Sequence, residues 1–306
     1  MSLDTASKVA RLRGLTAKWD NAVRSASPVY PEFCTVVPSS GADEQYAILG
    51  SLPGMREWLG DRQFEELRSG DYTLKNREWE NSLKIQKNHI DDDRLGLYDM
   101  VLQQLGVEAA HHPDELLFEV MVAGTAQACF DGQYFFDTDH VWGDSGTQSN
   151  DLTFNATDHT SVTEAEFRQA YHQMRAAMLG FKRDNGKPWH RPTLRPITDF
   201  TLIVPTGLEE VATKALQKAL VDAGETNIVL DRPRIVTGTY LTSQVRIYLL
   251  RTGQPLKPFV FQARRPLQRQ MKGLDDREFK DVKLMTDARY NVGYGAWWNA
   301  VTLEFN

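Results

Sequence analysis

The sequence predicts an α+β fold in which helix-patterned and strand-patterned blocks follow one another. Three stretches carry that prediction. Residues 76–104 run from a strand pattern around Trp79, through the acidic triplet Asp91-Asp92-Asp93, into an amphipathic helix. Residues 161–180 open on Ser161-Val162-Thr163, place Glu166 three positions after Thr163 as a capping box, and stop at Gly180. Residues 198–265 change rhythm to short apolar strands around one helix, an α/β lobe of its own.

With 306 residues the chain can form one large domain or two modest ones, and it can bury a substantial core. Its 41% apolar and 25% charged residues are ordinary for a globular protein. A net charge of −6 argues against a general nucleic-acid binder, which needs a basic surface to displace counterions from phosphates. Neither of the two cysteines, Cys34 and Cys129, has a CxxC partner. A reducing compartment therefore fits better than a disulfide framework or a cysteine–zinc site. The first fifteen residues lack the apolar core of a signal peptide, and no stretch has the apolar length of a membrane span.

Residues 1–27 predict a helix, with Val9, Leu12, Leu15, Trp19 and Val23 at helical spacing and a mildly basic remainder. Two readings stand for it: a surface helix with a solvated face, or an arm docked on a neighbouring subunit. Pro28, Pro31 and Pro38 then break regular structure. Tyr72–Lys75 and Trp79–Lys87 read as strands, either the two arms of one hairpin or an extended excursion. The helix after the triplet is expected over Asp92–His112. Pro113 is expected in the first turn of a second helix, with Asp114 and Glu115 at its positive end. Residues 128–160 read as loops. In the lobe, a strand at Phe200–Val204 precedes a helix from about Glu209 to Asp222. Strands follow at Ile228–Leu230, Arg234–Val236, Val245–Leu250 and Phe259–Gln262. A basic segment from Arg264 to Lys272 links the lobe to strands at Val282–Met285 and Tyr290–Phe305.

Few residues suggest chemistry. Asp91, Asp92 and Asp93 are hard-cation ligands by type, but consecutive helical residues point about 100° apart and cannot share one ion. Capping a helix start is the better reading. Asp137, Asp139 and His140 could hold a metal and serve a hydrolase. Asp-x-Asp opens a calcium loop, yet the sixth and twelfth positions of such a loop are not supplied here, and a turn around Tyr134-Phe135-Phe136 accounts for the same residues. No HExxH, Walker A, GxGxxG or GxSxG pattern is present. Six tryptophans, Trp58 and Trp79 among them, sit beside polar or turn residues, as interface anchors do; core packing explains about half of them equally well.

Several spaced motifs resemble one family. They are Tyr46…Gly50…Pro53-Gly-Met-Arg-Glu-Trp58…Gly60-x-Arg62, then Asn76…Trp79-Glu80…Ile90-Asp-Asp-Asp93…Gly96…Tyr98, then Asp131-Gly-x-x-Phe-Phe-Asp137-x-Asp-His140 with Ser149-Asn150. In this order they are similar to the major head subunit (gpT) of Mu-like phages and prophages, from about residue 40 onward. The resemblance implies a Hong Kong 97-type capsid fold and no catalysis, cofactor or metal. It divides the chain into an N-terminal arm (1–44), an extended-loop region (45–90), a peripheral domain with a spine helix (91–197), an axial domain (198–265) and return strands (266–306). Gly106 and Pro113 would bend the spine or split it. The implied partners are other copies in hexamers and pentamers, a scaffolding protein, a portal and a head protease during assembly, and packaged double-stranded DNA held weakly. No membrane is implied. The implied place is the virion, assembled in the host cytoplasm. Trp58, Arg62, Trp79, Asp91, Asp92, Asp93, Arg264 and Arg265 are the candidate inter-subunit contacts. A cargo-enclosing nanocompartment of the same fold is the alternative shell.

Overall fold

The computed structural model describes residues 5–49, 69–86, 88–89, 96–190, 197–218, 232–272 and 280–306. The chain begins with α1 (Thr5–Ser25), the one-turn α2 (Tyr30–Phe33), β1 (Cys34–Pro38) and β2 (Asp43–Leu49). β3 (Ser69–Lys75) and β4 (Arg77–Gln86) precede α3 (Leu97–Ala123) and β5 (Asp151–Phe154). Then come α4 (Glu164–Gly180), β6 (Phe200–Val204), α5 (Glu209–Gln217) and β7 (Arg234–Thr237). β8 (Arg246–Arg251), β9 (Phe259–Lys272), β10 (Asp281–Tyr294) and β11 (Ala300–Phe305) complete the series.

Two sheets and a separate hairpin organise these elements. A four-stranded sheet runs β1-β9-β10-β4, and a five-stranded sheet runs β5-β11-β8-β6-β7. β2 and β3 pair with each other, Asp43 opposite Lys75 and Leu49 opposite Ser69. The larger core joins the five-stranded sheet, α4 and the C-terminal half of α3 around Phe135, Phe136, Tyr171, Phe259 and Phe305. A smaller core under the four-stranded sheet joins Leu15 and Trp19 of α1, Leu102 of α3, Ile85, Val282 and Leu284.

The helix of residues 164–180 forms as its sequence pattern predicts. The Thr163 side chain accepts from the Glu166 amide, and the Glu166 carboxylate accepts from Thr163 N. Phe167, Ala170, Met174 and Met178 line its buried face. α1 also forms, and Leu15, Trp19 and Ala22 bury against α3 of the same chain.

Four expectations need correction. First, α3 is one helix across Pro113, not two. Proline removes one ladder hydrogen bond and crowds the preceding turn, at roughly 3 kcal/mol. Burial of Leu116, Leu117, Phe118 and Met121 just beyond it outweighs that cost. Second, α3 starts at Leu97, with Gly96 at φ 67° as its N-cap, later than expected; the cap expected at Asp91, Asp92 and Asp93 lies outside the described residues. Third, the Tyr72 and Trp79 strands are not arms of one hairpin. β3 pairs with β2, while β4 pairs antiparallel with β10, Trp79 opposite Ala288. Fourth, the basic segment from Arg264 is no linker. β9 runs on to Lys272 in the four-stranded sheet, away from the α/β lobe. Pro266 is accommodated because the register with β10 shifts there, between Gln268–Asp287 and Arg265–Arg289. The expected strand Ile228–Leu230 lies outside the described residues.

Gly106, expected to bend or split the spine, lies inside one continuous helix and lets two helices touch. A Cβ at that position would lie 2.9 Å from the Trp19 carbonyl oxygen and 3.1 Å from the Ala22 side chain.

Candidate functional site

β4 and α3 flank a groove of about 230 Å³, lined by Trp79, Glu80, Glu108, His112, Leu267 and Tyr290 among others. The strand period puts Trp79 on the side facing α3, and the helix period brings Glu108, His112 and Glu115 to one stripe. Trp79 Nε1 donates to the Tyr290 carbonyl at 3.0 Å. Its ring meets His112 edge-on at 4.4 Å, and the Arg77 guanidinium lies 4.5 Å from its centre. His112 Nδ1 is 2.8 Å from the Tyr290 hydroxyl. Burial lowers the His112 pKa, against the pull of Glu115 and Glu119, and burial raises that of Tyr290. The result is a groove with an aromatic floor and an acidic rim.

The other candidate contacts fare differently. Arg264 donates to the Ser39 carbonyl at 3.1 Å, and Arg265 pairs with Asp287 at 2.9 Å. Arg269 grips Asp20 of α1 with two hydrogen bonds, 2.7 and 2.5 Å. The basic run is thus engaged inside its own chain. Trp58 and Arg62 lie outside the described residues. Trp297 and Trp298 are core residues, stacked on His140 at 4.0 Å and on Trp189 at 3.9 Å.

The loop after α3 does not bring Asp137, Asp139 and His140 together as a ligand set. His140 Nδ1 pairs instead with Asp131 Oδ2 at 2.8 Å, and its Nε2 faces Asn150 Oδ1 at 3.2 Å. Asn150 Oδ1 also accepts from Asp137 N, and its amide donates to the Phe135 carbonyl. The Asp137 carboxylate accepts from the Tyr134 and Thr138 amides. Cys129 Sγ donates to Asp131 Oδ1 at 3.0 Å, and burial pushes this thiol well above its usual pKa. Cys129, Asp131 and His140 form a compact His/Cys/Asp group. Ligand atoms around a tetrahedral zinc sit roughly 3.3 Å apart or more. The separations here are hydrogen-bond lengths, so the group as arranged is a buried polar network that braces the loop.

Two residues named in the sequence have organising roles that the sequence did not assign to them. Asn150 is fully buried and gathers Asp137, His140 and Phe135. Asp114 is buried in mid-helix, and its Oδ1 accepts from the amides of Val29 and Tyr30 at 2.9 and 2.7 Å. An aspartate one place after a helical proline was a visible signal for the second. It was placed at the positive end of its own helix, but it accepts from the first amides of α2.

The model of one protein family, the Mu-like prophage major head subunit gpT, matches residues 10–167, 161–241 and 242–304. The chain belongs to that family. The Mu-like prophage FluMu major head subunit of Haemophilus influenzae is 40% identical over 154 residues, 50% of this chain and 50% of the relative. The major capsid protein of Escherichia phage Mu is 32% identical over 164 residues, 52% of this chain and 54% of the relative. The matched segments thus span about half the length of each relative. Among solved structures, the procapsid of bacteriophage JBD30 covers 99% of this chain and 76% of its own, with 24% identity and a TM-score of 0.56. The gpT fold here is therefore that of tailed-phage capsid proteins, the Hong Kong 97 type. Among the described residues of this gpT-family chain, no helix is long and apolar enough to cross a membrane.

Proposed function

We propose that the protein is the major capsid subunit of a Mu-like tailed phage or prophage, assembling through repeated copies into an icosahedral shell around double-stranded DNA. The observation that carries this reading is the family match, which extends from residue 10 to residue 304. The architecture supports it. α1, α3 and the four-stranded sheet would form the peripheral body, and the five-stranded sheet with α4 and α5 the axial one. The hairpin of β2 and β3 has neither the size nor the faces to be stable alone, which suits an element that leans on neighbours. Scaffold, portal and head protease would act during assembly in the host cytoplasm. The net charge of −6 would keep the packaged DNA from binding the wall tightly.

The nanocompartment alternative is less favoured because the gpT model matches most of the chain. The hydrolase alternative loses its ligand set, since Asp131 rather than Asp137 or Asp139 faces the His140 ring. Electron microscopy of the purified protein, alone and with its scaffold, tests the proposal. Closed shells or capsomers are the expected result, and compact monomers under every assembly condition would overturn it.

A further inference from the structure

We infer that β4 is a self-pairing edge: two copies of this chain join their four-stranded sheets by laying β4 antiparallel against β4 about a two-fold axis at Ser82. The inference rests on the shell reading and adds to it the residues of one contact.

The first observation is the edge itself. Among the described residues β4 pairs only with β10, so its other side presents unpaired N–H and C=O groups. An exposed edge is a template for a further strand, and folds usually blunt such edges with short length, proline or bulges. The other edges of the two main sheets are short. β1 has five residues and ends on Pro38, and β5 and β7 have four each. β4 has ten residues, with no proline or glycine, and its register with β10 is unbroken.

The second observation is self-complementarity. Side chains of Glu78, Glu80, Ser82, Lys84 and Gln86 share the exposed face. When two copies run antiparallel about Ser82, each Glu80 falls opposite the partner copy's Lys84, and each Glu78 opposite a Gln86. On the other face Trp79 falls opposite Ile85 and Asn81 opposite Leu83. Opposite charges and an aromatic facing a β-branched residue are both favourable cross-strand pairs. A two-fold contact requires such matching, because one patch must fit itself. Within its own chain Lys84 touches Asp281 at 2.9 Å, and Glu80 accepts from the Ser82 hydroxyl at 2.7 Å. An ammonium has three donors and a carboxylate two oxygens, so both keep capacity for a partner.

A register-specific cross-link is the test. Opposite side chains in such a pair stand about 5 Å apart at Cβ, whereas two Gln86 would stand roughly 27 Å apart. Ser82→Cys shells treated with a thiol cross-linker shorter than about 10 Å should yield covalent dimers, and Gln86→Cys shells should not. Cys34 and Cys129 are buried and leave the background low. Equal dimer yields at 82 and 86, or none at 82, would overturn the pairing while leaving the shell reading intact. Wild-type protein that forms no shell with its scaffold would remove both. Charge reversal is the second measurement. Glu80→Lys should abolish shells in a protein with unchanged melting temperature, and adding Lys84→Glu should restore them. Normal assembly by Glu80→Lys would also overturn the inference.

Discussion

Gly106 of α3 lies against Trp19 of α1 so closely that a side-chain carbon at 106 would come within 2.9 Å of the Trp19 carbonyl oxygen. Helix propensity alone favours alanine over glycine in a helix by about 1 kcal/mol. The backbone contact opposes it, and overpacking costs about 1–3 kcal/mol. Gly106→Ala is therefore expected to destabilise by about 1 kcal/mol net, and Gly106→Val by more. Thermal melts check the sign, and faster amide exchange in α1 would locate the loss. A stabilised Gly106→Ala would refute the packing argument.

Asp114 holds the α2 turn to the spine. Replacing it with alanine strips two backbone amides of their acceptor and leaves His111 Nδ1 without its 2.9 Å partner. The expected loss is about 3 kcal/mol. Asp114→Asn, which keeps one acceptor oxygen, should lose less. Urea unfolding midpoints of the two variants separate these outcomes.

His190 makes stability depend on pH. Its Nε2 faces the Trp298 carbonyl at 3.1 Å and its Nδ1 faces an Arg251 nitrogen at 2.8 Å. Burial first, with help from the positive charges of Arg251 and Arg183, pulls its pKa from 6.5 to about 4, against the hydrogen bond to the Trp298 carbonyl and the charge of Asp199. The unfolded chain therefore binds more protons between those values. Stability from this group is complete above pH 6.5 and is lost as pH falls through 4, by roughly 3 kcal/mol. His190→Asn retains a donor and an acceptor but does not titrate. Its unfolding free energy should vary less between pH 4.5 and 7 than that of the wild type.

The Cys129–Asp131–His140 network predicts inert thiols and a costly deletion. Burial raises both the Cys34 and Cys129 thiols, so neither is expected to react with a thiol reagent at pH 8 until denaturant is added. His140→Ala leaves Asp131 Oδ2 buried without its 2.8 Å partner and should cost about 1–3 kcal/mol. Prompt labelling of native protein would contradict the first expectation, and an unchanged melting temperature the second.

The hairpin of β2 and β3 is the last target. Its base is tied to the body, since Tyr294 N donates to the Tyr72 hydroxyl at 3.1 Å and the Tyr46 hydroxyl donates to Gln262. Replacing residues 50–68 by an Asn-Gly turn keeps the strands in register. The expected variant melts as the wild type does yet forms no shell under the microscope. Wild-type shells would show that the segment is dispensable.

Local signals were legible in the sequence, and long-range ones were not. The Thr163–Glu166 capping box and the 3.6-residue stripe after it depend only on neighbours along the chain, and they placed α4 correctly. Pro113 misled because it breaks structure by itself but is overruled by the core beneath α3, and the basic run from Arg264 misled because its strand depends on pairing with the distant β10. Asp131 stands nine residues from His140 and was passed over for the nearer Asp137 and Asp139. Sequence proximity says little about which carboxylate faces a buried ring. The groove around Trp79 needs β4, α3, β9 and β10 together, so no single stretch announced it.

The strands in the middle of the four-stranded sheet are β9 and β10, while the outer ones, β1 and β4, come from residues 34–38 and 77–86. Synthesis therefore makes the margins long before the centre that holds them. Ribosomes add roughly 5–20 residues each second, so the flanking strands wait about ten seconds or more for their partners. During that interval a nascent chain has no four-stranded sheet, and therefore no ordered β4 margin. Fragments released early from the ribosome lack that margin for the same reason. The order of strands acts as a timer that closes this sheet only after residue 294 has been made.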